Sequence, residues 1–434
     1  MKCKKIYVSG HRNPDVDSLT SACALADLRR HTMGGEVVVE ALCPGNLPAK
    51  AEWVFNHFGI TPPIQKSDVY IKVIDIVATD IVPLSADIPL IEALRKLEAS
   101  GESSLPVISR TGKYLGDLQP LKLLHFFIEG KDLQTPVGEV PLGETLVLNS
   151  SDRVHDVKGH AIRSSQNHFS VLDESGQFCG TVLKRSFAEK PPYRMILVDH
   201  NETDQGILGL EELPVIEVVD HHRISFSPTI EPIRYTADIV GSTCTLVTKM
   251  YRASGLRPSK QIAGVLLAGV VADTLLFQSP TTTETDRIAA AWLEKICGET
   301  AQSLMDGMMS IPSPMMSMTP EAALESDRKL YTESGFKFSL SQIEESNFLY
   351  FHRQLHAFED SLSELINRKG LDFAGLLITD PVRGDSEFLY KGEEGVKRSL
   401  PWRRNANGTF SLPGVLSRKK QLLPQVLSAL SSLR

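Results

Sequence analysis

Residues 5–10, Lys-Ile-Tyr-Val-Ser-Gly, form a short β-branched and aromatic run that predicts a strand, and residues 11–17 after it form a polar loop containing a proline. From Ser18 the apolar residues Leu19, Ala22, Cys23 and Ala26 recur at helical spacing until Gly34-Gly35 stops the pattern, so a helix is expected there. Strand, polar loop and helix open an α/β domain, with Val37 to Ala41 as its next strand. After Lys190-Pro191-Pro192 the pattern resumes with strands over Arg194 to Val198 and Pro214 to Val219, each running straight into acidic and histidine residues. The first domain is therefore interrupted.

The interruption begins near Asp68. Val77 to Leu84 is a strand candidate, Pro89 to Ser100 a helix, Leu105 to Ser109 and Tyr114 to Leu118 strands, and Leu121 to Glu129 a helix. Thr145 to Asn149, Val154 to Arg163, Phe169 to Asp173 and Phe178 to Leu183 repeat that order, which predicts two tandem copies of one small unit. The first copy resembles a CBS module through Ile88-Pro89-Leu90-Ile91-Glu92-Ala93-Leu94 and Ser104-Leu105-Pro106-Val107-Ile108. Residues 305–320 are rich in Met, Ser and Pro, which suits a linker, and an apolar helix from Leu422 onward closes the chain. The expected organisation is residues 1–70 and 191–308 for the two parts of the first domain, 71–190 for the insert, 309–320 for the linker and 321–434 for the last domain.

Composition adds little beyond class. At roughly 150 residues per domain, 434 residues give about three domains, and 42% hydrophobic with 23% charged residues fits an ordinary globular protein. A net charge of -7 offers no general attraction for nucleic acid or an anionic membrane, so neither is an expected partner and any polyanion must be held locally. Met1-Lys2-Cys3-Lys4-Lys5 is charged, but no apolar targeting segment follows and no apolar run of about 18 residues occurs, so a cytoplasmic location is expected. Six scattered cysteines lack a Cys-x-x-Cys pair, and most of them read as buried, reduced thiols.

Four clusters carry the chemistry: His11-Arg12-Asn13-Pro14-Asp15-Val16-Asp17-Ser18, Asp199-His200-Asn201, Asp220-His221-His222, and Asp273. The first three follow predicted strands, and in open α/β sheets the carboxyl ends of neighbouring strands converge on one crevice. Carboxylates and imidazoles without thiolate suit manganese, cobalt or magnesium better than structural zinc. Taken alone, Asp273 reads as a turn former or helix cap, and His221-His222 says less still. Three clusters that each place Asp or His at a strand end favour a metal site.

These motifs closely resemble those of the family II inorganic pyrophosphatases, in the DHH phosphoesterase superfamily. His11-x-Asn13-Pro14-Asp15-x-Asp17-Ser18, Val198-Asp199-His200-Asn201-Glu202, Asp220-His221-His222, Asp273-Thr274-Leu275-Leu276-Phe277 and Ser417-Arg418-Lys419-Lys420-Gln421 match the family's five motifs. The resemblance implies an α/β, two-domain DHH phosphoesterase whose parallel-sheet N-terminal domain is interrupted by a tandem CBS pair, with a C-terminal α/β substrate-binding domain. It also implies hydrolysis of pyrophosphate to two phosphates by a metal-activated water. By motif, His11, Asp15 and Asp199 would hold one metal, while Asp17, Asp199, His221 and Asp273 would hold the other, with Asp199 bridging. Two ions about 3.5–4 Å apart can activate a water and clamp both attacking and leaving oxygens. His222, Asp15, Arg418 and Lys419 are the expected catalytic residues, and Lys329, Arg418, Lys419 and His222 the expected substrate contacts.

Arg offers phosphate a planar fork and Lys a compact charge. The plain alternatives are a solvated surface lysine for Lys329 and a basic helix start for Arg418-Lys419-Lys420, which the helix dipole would disfavour. With metals in one domain and cations in the other, a cleft that closes over substrate is expected, hinged at residues 305–320.

The resemblance further implies two tightly bound manganese or cobalt ions, magnesium arriving with substrate, and a homodimer whose CBS pairs meet across the two-fold axis. AMP, ADP or ATP would bind the CBS pair and regulate activity. CBS modules that bind adenosine ligands often show Gly-x-x-Ser/Thr-x-x-Asp, whereas this chain has Gly116-Asp117-Leu118-Gln119-Pro120-Leu121-Lys122 and Gly180-Thr181-Val182-Leu183-Lys184-Arg185-Ser186. Neither keeps the hydroxyl and carboxylate pair, so Lys122, Lys184 and Arg185 are the candidate phosphate contacts of an altered site. A DHH-type phosphodiesterase or exopolyphosphatase is the nearest rival, but the glycine-rich, histidine-containing motif typical of those enzymes is absent between Glu321 and Arg434. A catalytically inactive nucleotide sensor would have lost a metal ligand, and all six matched positions hold Asp or His.

Overall fold

The structure is a computed structural model that describes residues 5–434 apart from 35–36, 79–80, 131, 226–227, 230, 280, 312–313, 346–347, 381–384, 432 and 434. The chain divides into two compact units, one of Met1–Pro48, Thr61–Asp238 and Leu246–Pro258 and one of Ala49–Ile60, Ile239–Thr245 and Ser259–Arg434.

In the first unit six strands form one sheet in the order Arg234–Ala237, Val215–Asp220, Tyr193–Val198, Lys5–Ser9, Val38–Cys43, Ile64–Gln65. Every neighbouring pair is parallel. Lys5–Ser9 and Tyr193–Val198 run side by side from Lys5↔Tyr193 to Ser9↔Leu197, although the whole insert separates them in sequence. Val8, Met195, Ile196, Val198 and Val219 are fully buried, as the middle strands of a parallel sheet are. The first helix, Val16–Thr32, starts two residues before Ser18 because Asp15 caps it. Near its end, Arg29 donates from Nε to Oε2 of Glu217 at 2.7 Å, a buried pair that sets the helix against strand Val215–Asp220.

The insert holds two sheets of one design: Leu84–Ser85, Leu105–Ile108 and Tyr114–Leu118, then Leu148–Asn149, His168–Leu172 and Phe178–Leu183. Each has one parallel and one antiparallel pair, with a register break at Val107/Ile108 or Val171/Leu172. The described residues of the range Val77 to Leu84 do not form the strand its β-branched composition predicts. Val73–Ile76 forms a 3-10 turn, residues 79–80 lie outside the described residues, and Leu84–Ser85 is a short strand. Ala78 instead donates to the Thr181 carbonyl at 2.8 Å, and Gly143 pairs in the same way with Asp117. Each copy thus receives a segment on its last strand from the chain leading into the other. Pro120, which fixes its own φ, opens a 3-10 turn to Lys122, so the helix expected from Leu121 runs Leu123–Ile128.

A buried polar group joins the copies. Nε2 of His168 lies 3.1 Å from Asp117 Oδ2 and 3.2 Å from Ser104 Oγ, while Tyr114 and Ser170 donate to Asp117 Oδ1 at 2.7 and 3.3 Å. The first copy packs its own core of Leu84, Leu90, Val107, Leu118 and Leu123. Phe169, Val171, Val182 and Phe187 of the second copy instead share one core with Tyr7, Leu42, Met195, Leu197 and Val218 of the parallel sheet.

The second unit contains helices Ala49–Phe58, Lys260–Asp273, Glu284–Cys297 and Ala301–Met309 and a mixed six-stranded sheet. Its central strand Phe373–Asp380 is buried throughout, with Phe373 and Leu377 in one core and Ala374, Leu376 and Ile378 in another on the opposite face. The stretch 305–320 has more structure than its composition suggests. Helix Ala301–Met309 covers its start, Pro314–Ser317 forms a 3-10 turn, and Met315 is fully buried beside Ala323 and Leu324.

Candidate metal centre

Parallel strands deliver their carboxyl ends to one edge of the sheet. Three adjacent strands end at Ser9, Val198 and Asp220, so His11, Asp199 and His221 emerge side by side. The Asp15 carboxylate accepts the Ser18 backbone N–H at 2.8 Å, and the Asp15 N–H donates to Ser18 Oγ at 3.0 Å. This capping box leaves Asp15 Oδ2 3.4 Å from Nε2 of His11. Asp17, in the first turn of the helix, is buried.

Asp199 turns the chain sharply at φ 62, a left-handed conformation that costs a non-glycine residue about 1 kcal/mol. Its buried carboxylate lies 3.4 Å from His11 on Oδ2, and 3.4 Å from His221 and 3.8 Å from His222 on Oδ1. Ligand atoms of His11, Asp15 and Asp199 lie within 4.8 Å of one another, as do those of Asp199, His221 and His222. Asp199 belongs to both groups.

Burial alone would raise the Asp199 pKa, but hydrogen bonds from His11 and His221 hold it well below the usual carboxylate range. Burial likewise works to lower His11, yet its bonds to Asp15 and Asp199 push it up to about 11. Burial disfavours charge on Asp220 too, and bonds from His222 and Asn201 overcome it and lower its pKa. Carboxylates kept ionised in a buried site require positive charge beside them, which imidazolium or a divalent cation can supply. Oxygen and imidazole donors without thiolate suit manganese or cobalt.

Asp220 and Asn201 carry roles that motif reading leaves blank. Asp220 Oδ1 lies 2.9 Å from His222 Nδ1, and Asp220 Oδ2 accepts from Asn201 Nδ2 at 2.6 Å. His221 is largely buried, whereas the His222 side chain is 54% exposed, so the two adjacent imidazoles stand in different surroundings.

In the second unit, Asp273 is the last residue of helix Lys260–Asp273, and Leu275, Leu276 and Phe277 after it have φ of 54, 53 and 64. Lys329, on strand Arg328–Glu333, and Lys419 are exposed. Arg418 is not the free phosphate fork its motif suggests. It is 8% exposed, and Nη1 and Nη2 each lie 3.0 Å from an Asp327 carboxylate oxygen. Residues Arg418–Leu422 form a π-helical turn that runs directly into helix Leu423–Ser431, so the basic residues do start that helical segment, at the end where its dipole disfavours cations. In the insert Lys122 and Arg185 are exposed, while Lys184 Nζ donates to the Ser164 carbonyl at 2.6 Å.

The chain matches the DHH family, N-terminal domain, over residues 5–270, more than half its length, and the DHHA2 domain over residues 307–429. It is 24% identical to the cobalt-dependent inorganic pyrophosphatase of Clostridium perfringens, with 98% of each chain covered. It is 36% identical to the manganese-dependent inorganic pyrophosphatase of Bacillus subtilis over 238 residues, 55% of this chain and 77% of that one. A solved structure from Methanococcus jannaschii, that of a candidate family II inorganic pyrophosphatase, is 22% identical with a TM-score of 0.48 and covers 98% of this chain and 99% of its own.

Proposed function

Because this chain belongs to the DHH family, in the branch of the family II inorganic pyrophosphatases, we propose that it hydrolyses inorganic pyrophosphate to two phosphates using two manganese or cobalt ions. The observation that carries this reading is Asp199, the carboxylate shared by the His11–Asp15 and the His221–His222 ligand groups at the edge of the parallel sheet. His11, Asp15 and Asp199 would hold one ion, and Asp17, Asp199, His221 and Asp273 would hold the other. When bound, such a pair supplies an activated water and Lewis-acid stabilisation of the phosphoryl oxygens, and magnesium arrives with substrate.

The chain's own residues do the rest. Asp220 accepts at Nδ1 of His222, which leaves His222 Nε2 to face substrate and give a proton to the departing phosphate. Arg418, Lys419 and Lys329 bring positive charge to a substrate carrying up to four negative charges, and Asp327 sets the plane of the Arg418 fork. Phosphate release from pyrophosphate, short polyphosphate and oligonucleotide, with manganese, cobalt, magnesium or chelator, tests the reading. Turnover of pyrophosphate restored to the chelated protein by manganese or cobalt is expected; preference for either other substrate would overturn it.

The same reading takes residues 71–190 as a tandem CBS insert regulated by adenine nucleotides and residues 321–434 as the substrate-binding domain. Support for coupling lies in the core that Phe169, Val171 and Val182 share with Met195 and Leu197, which lie on the strand that runs into Asp199. Leu121, Leu124 and Ile128 stand exposed on the first copy, an apolar face suited to a homodimer formed through the inserts. The free cysteines Cys23, Cys43, Cys179, Cys244 and Cys297 suit the reducing cytoplasm.

A further inference from the structure

One buried carboxylate holds the turn that follows Asp273. Asp286 is fully buried at the third position of helix Glu284–Cys297. Its Oδ2 accepts the backbone N–H and the hydroxyl of Thr283, both at 2.7 Å, which is an ordinary helix cap. Three further bonds reach back 41 and 45 residues: Gly241 N–H donates to both oxygens at 3.0 and 2.9 Å, and Thr245 Oγ1 donates to Oδ1 at 2.7 Å. A cap needs none of these.

Gly241 passes the constraint on. A Cβ there would lie 2.7 Å from Thr274 Cγ2, so the Gly241 backbone pinned by Asp286 bears directly on Thr274. Thr274 follows Asp273, and its hydroxyl donates to the Val270 carbonyl at 2.6 Å and accepts the Phe277 N–H at 3.2 Å. Its carbonyl accepts the Ser279 N–H at 2.9 Å. The next three residues all have left-handed φ, which L-residues adopt in succession only where surrounding contacts over-determine them. The order is therefore Asp286, Gly241, Thr274, then the strained turn and the end of the helix that carries Asp273.

We infer that Asp286 is a positioning residue for the second metal ion: it touches neither ion nor substrate, but sets how the Asp273 carboxylate leaves its helix. This rests on reading Asp273 as a ligand. All the groups facing Asp286 in these bonds are donors, so Asp286→Asn turns one acceptor into a donor aimed at donors. Thr245→Val removes one bond and leaves the charge.

The test titrates manganese into the metal-free full-length chain, followed by calorimetry and by the electron-spin signal of a coupled ion pair, beside Asp273→Asn and with melting temperatures recorded. Asp286→Asn is expected to weaken one of the two ions by about 10–100-fold, the usual effect of losing an outer-shell partner, and leave the other unchanged. Thr245→Val weakens the same ion less. A folded Asp286→Asn that binds both ions at wild-type affinity overturns the inference, whatever its melting temperature. Should that variant not fold, two ions at unchanged affinity in Thr245→Val overturn it. If Asp273→Asn itself keeps both ions, the ligand assignment falls and takes the inference with it.

Discussion

Oδ1 of Asp220 lies 2.9 Å from Nδ1 of His222 and also accepts the His222 backbone N–H at 3.1 Å. One carboxylate thus ties the ring to its own backbone N–H, and its hydrogen bond raises the His222 pKa. Asp220→Ala should lower kcat about 10–100-fold while two metal ions remain bound. Steady-state kinetics with metal analysis checks this. Loss of an ion would make Asp220 part of the metal site instead.

Asp199→Asn should abolish turnover and release at least one ion, because an amide cannot give negative charge to two cations. The fall in kcat/KM should exceed the roughly 100-fold expected for an outer-shell partner. Near-normal hydrolysis with two bound metals would refute the bridging role.

Arg418→Ala should leave metal stoichiometry intact and lower kcat/KM if, as proposed, the guanidinium serves the substrate and not the ions. Arg418→Lys should rescue little, because a single ammonium cannot reproduce the paired contacts with Asp327 at 3.0 Å. Metal loss in either variant would break the assumed division of labour.

Asp117→Ala should destabilise the insert by about 1–3 kcal/mol, the cost of leaving buried polar groups without their acceptor. Asp117 and His168 are both buried, so water cannot replace the lost oxygen. Urea unfolding followed by fluorescence reads the change. An unaltered midpoint would mean that the two copies are held by apolar packing alone.

AMP, ADP and ATP should bind the insert with low affinity and change pyrophosphatase rate, because neither copy keeps the hydroxyl and carboxylate pair and Lys184 is engaged with Ser164. Calorimetry paired with kinetics decides it. Binding without a rate change would refute coupling through the shared core, and no heat from any nucleotide would leave the insert a structural element.

Motifs and periodicity were enough to place the strands that end at Ser9, Val198 and Asp220, the interruption between them and the tandem copies, because each depends on local composition and short-range spacing. What a side chain meets across the fold is different in kind. Val77 is β-branched and reads as strand, yet the next residue bonds to the other copy's last strand, a partner more than a hundred residues away. Arg418 reads as a phosphate fork, and only the folded second unit brings Asp327 against it. Asp286 reads as the N3 residue of a helix cap, and the N–H groups that make it more than that come from a turn 45 residues earlier. Local propensity is written in neighbouring residues, whereas a buried polar group takes its role from whichever remote donors the packed chain delivers to it.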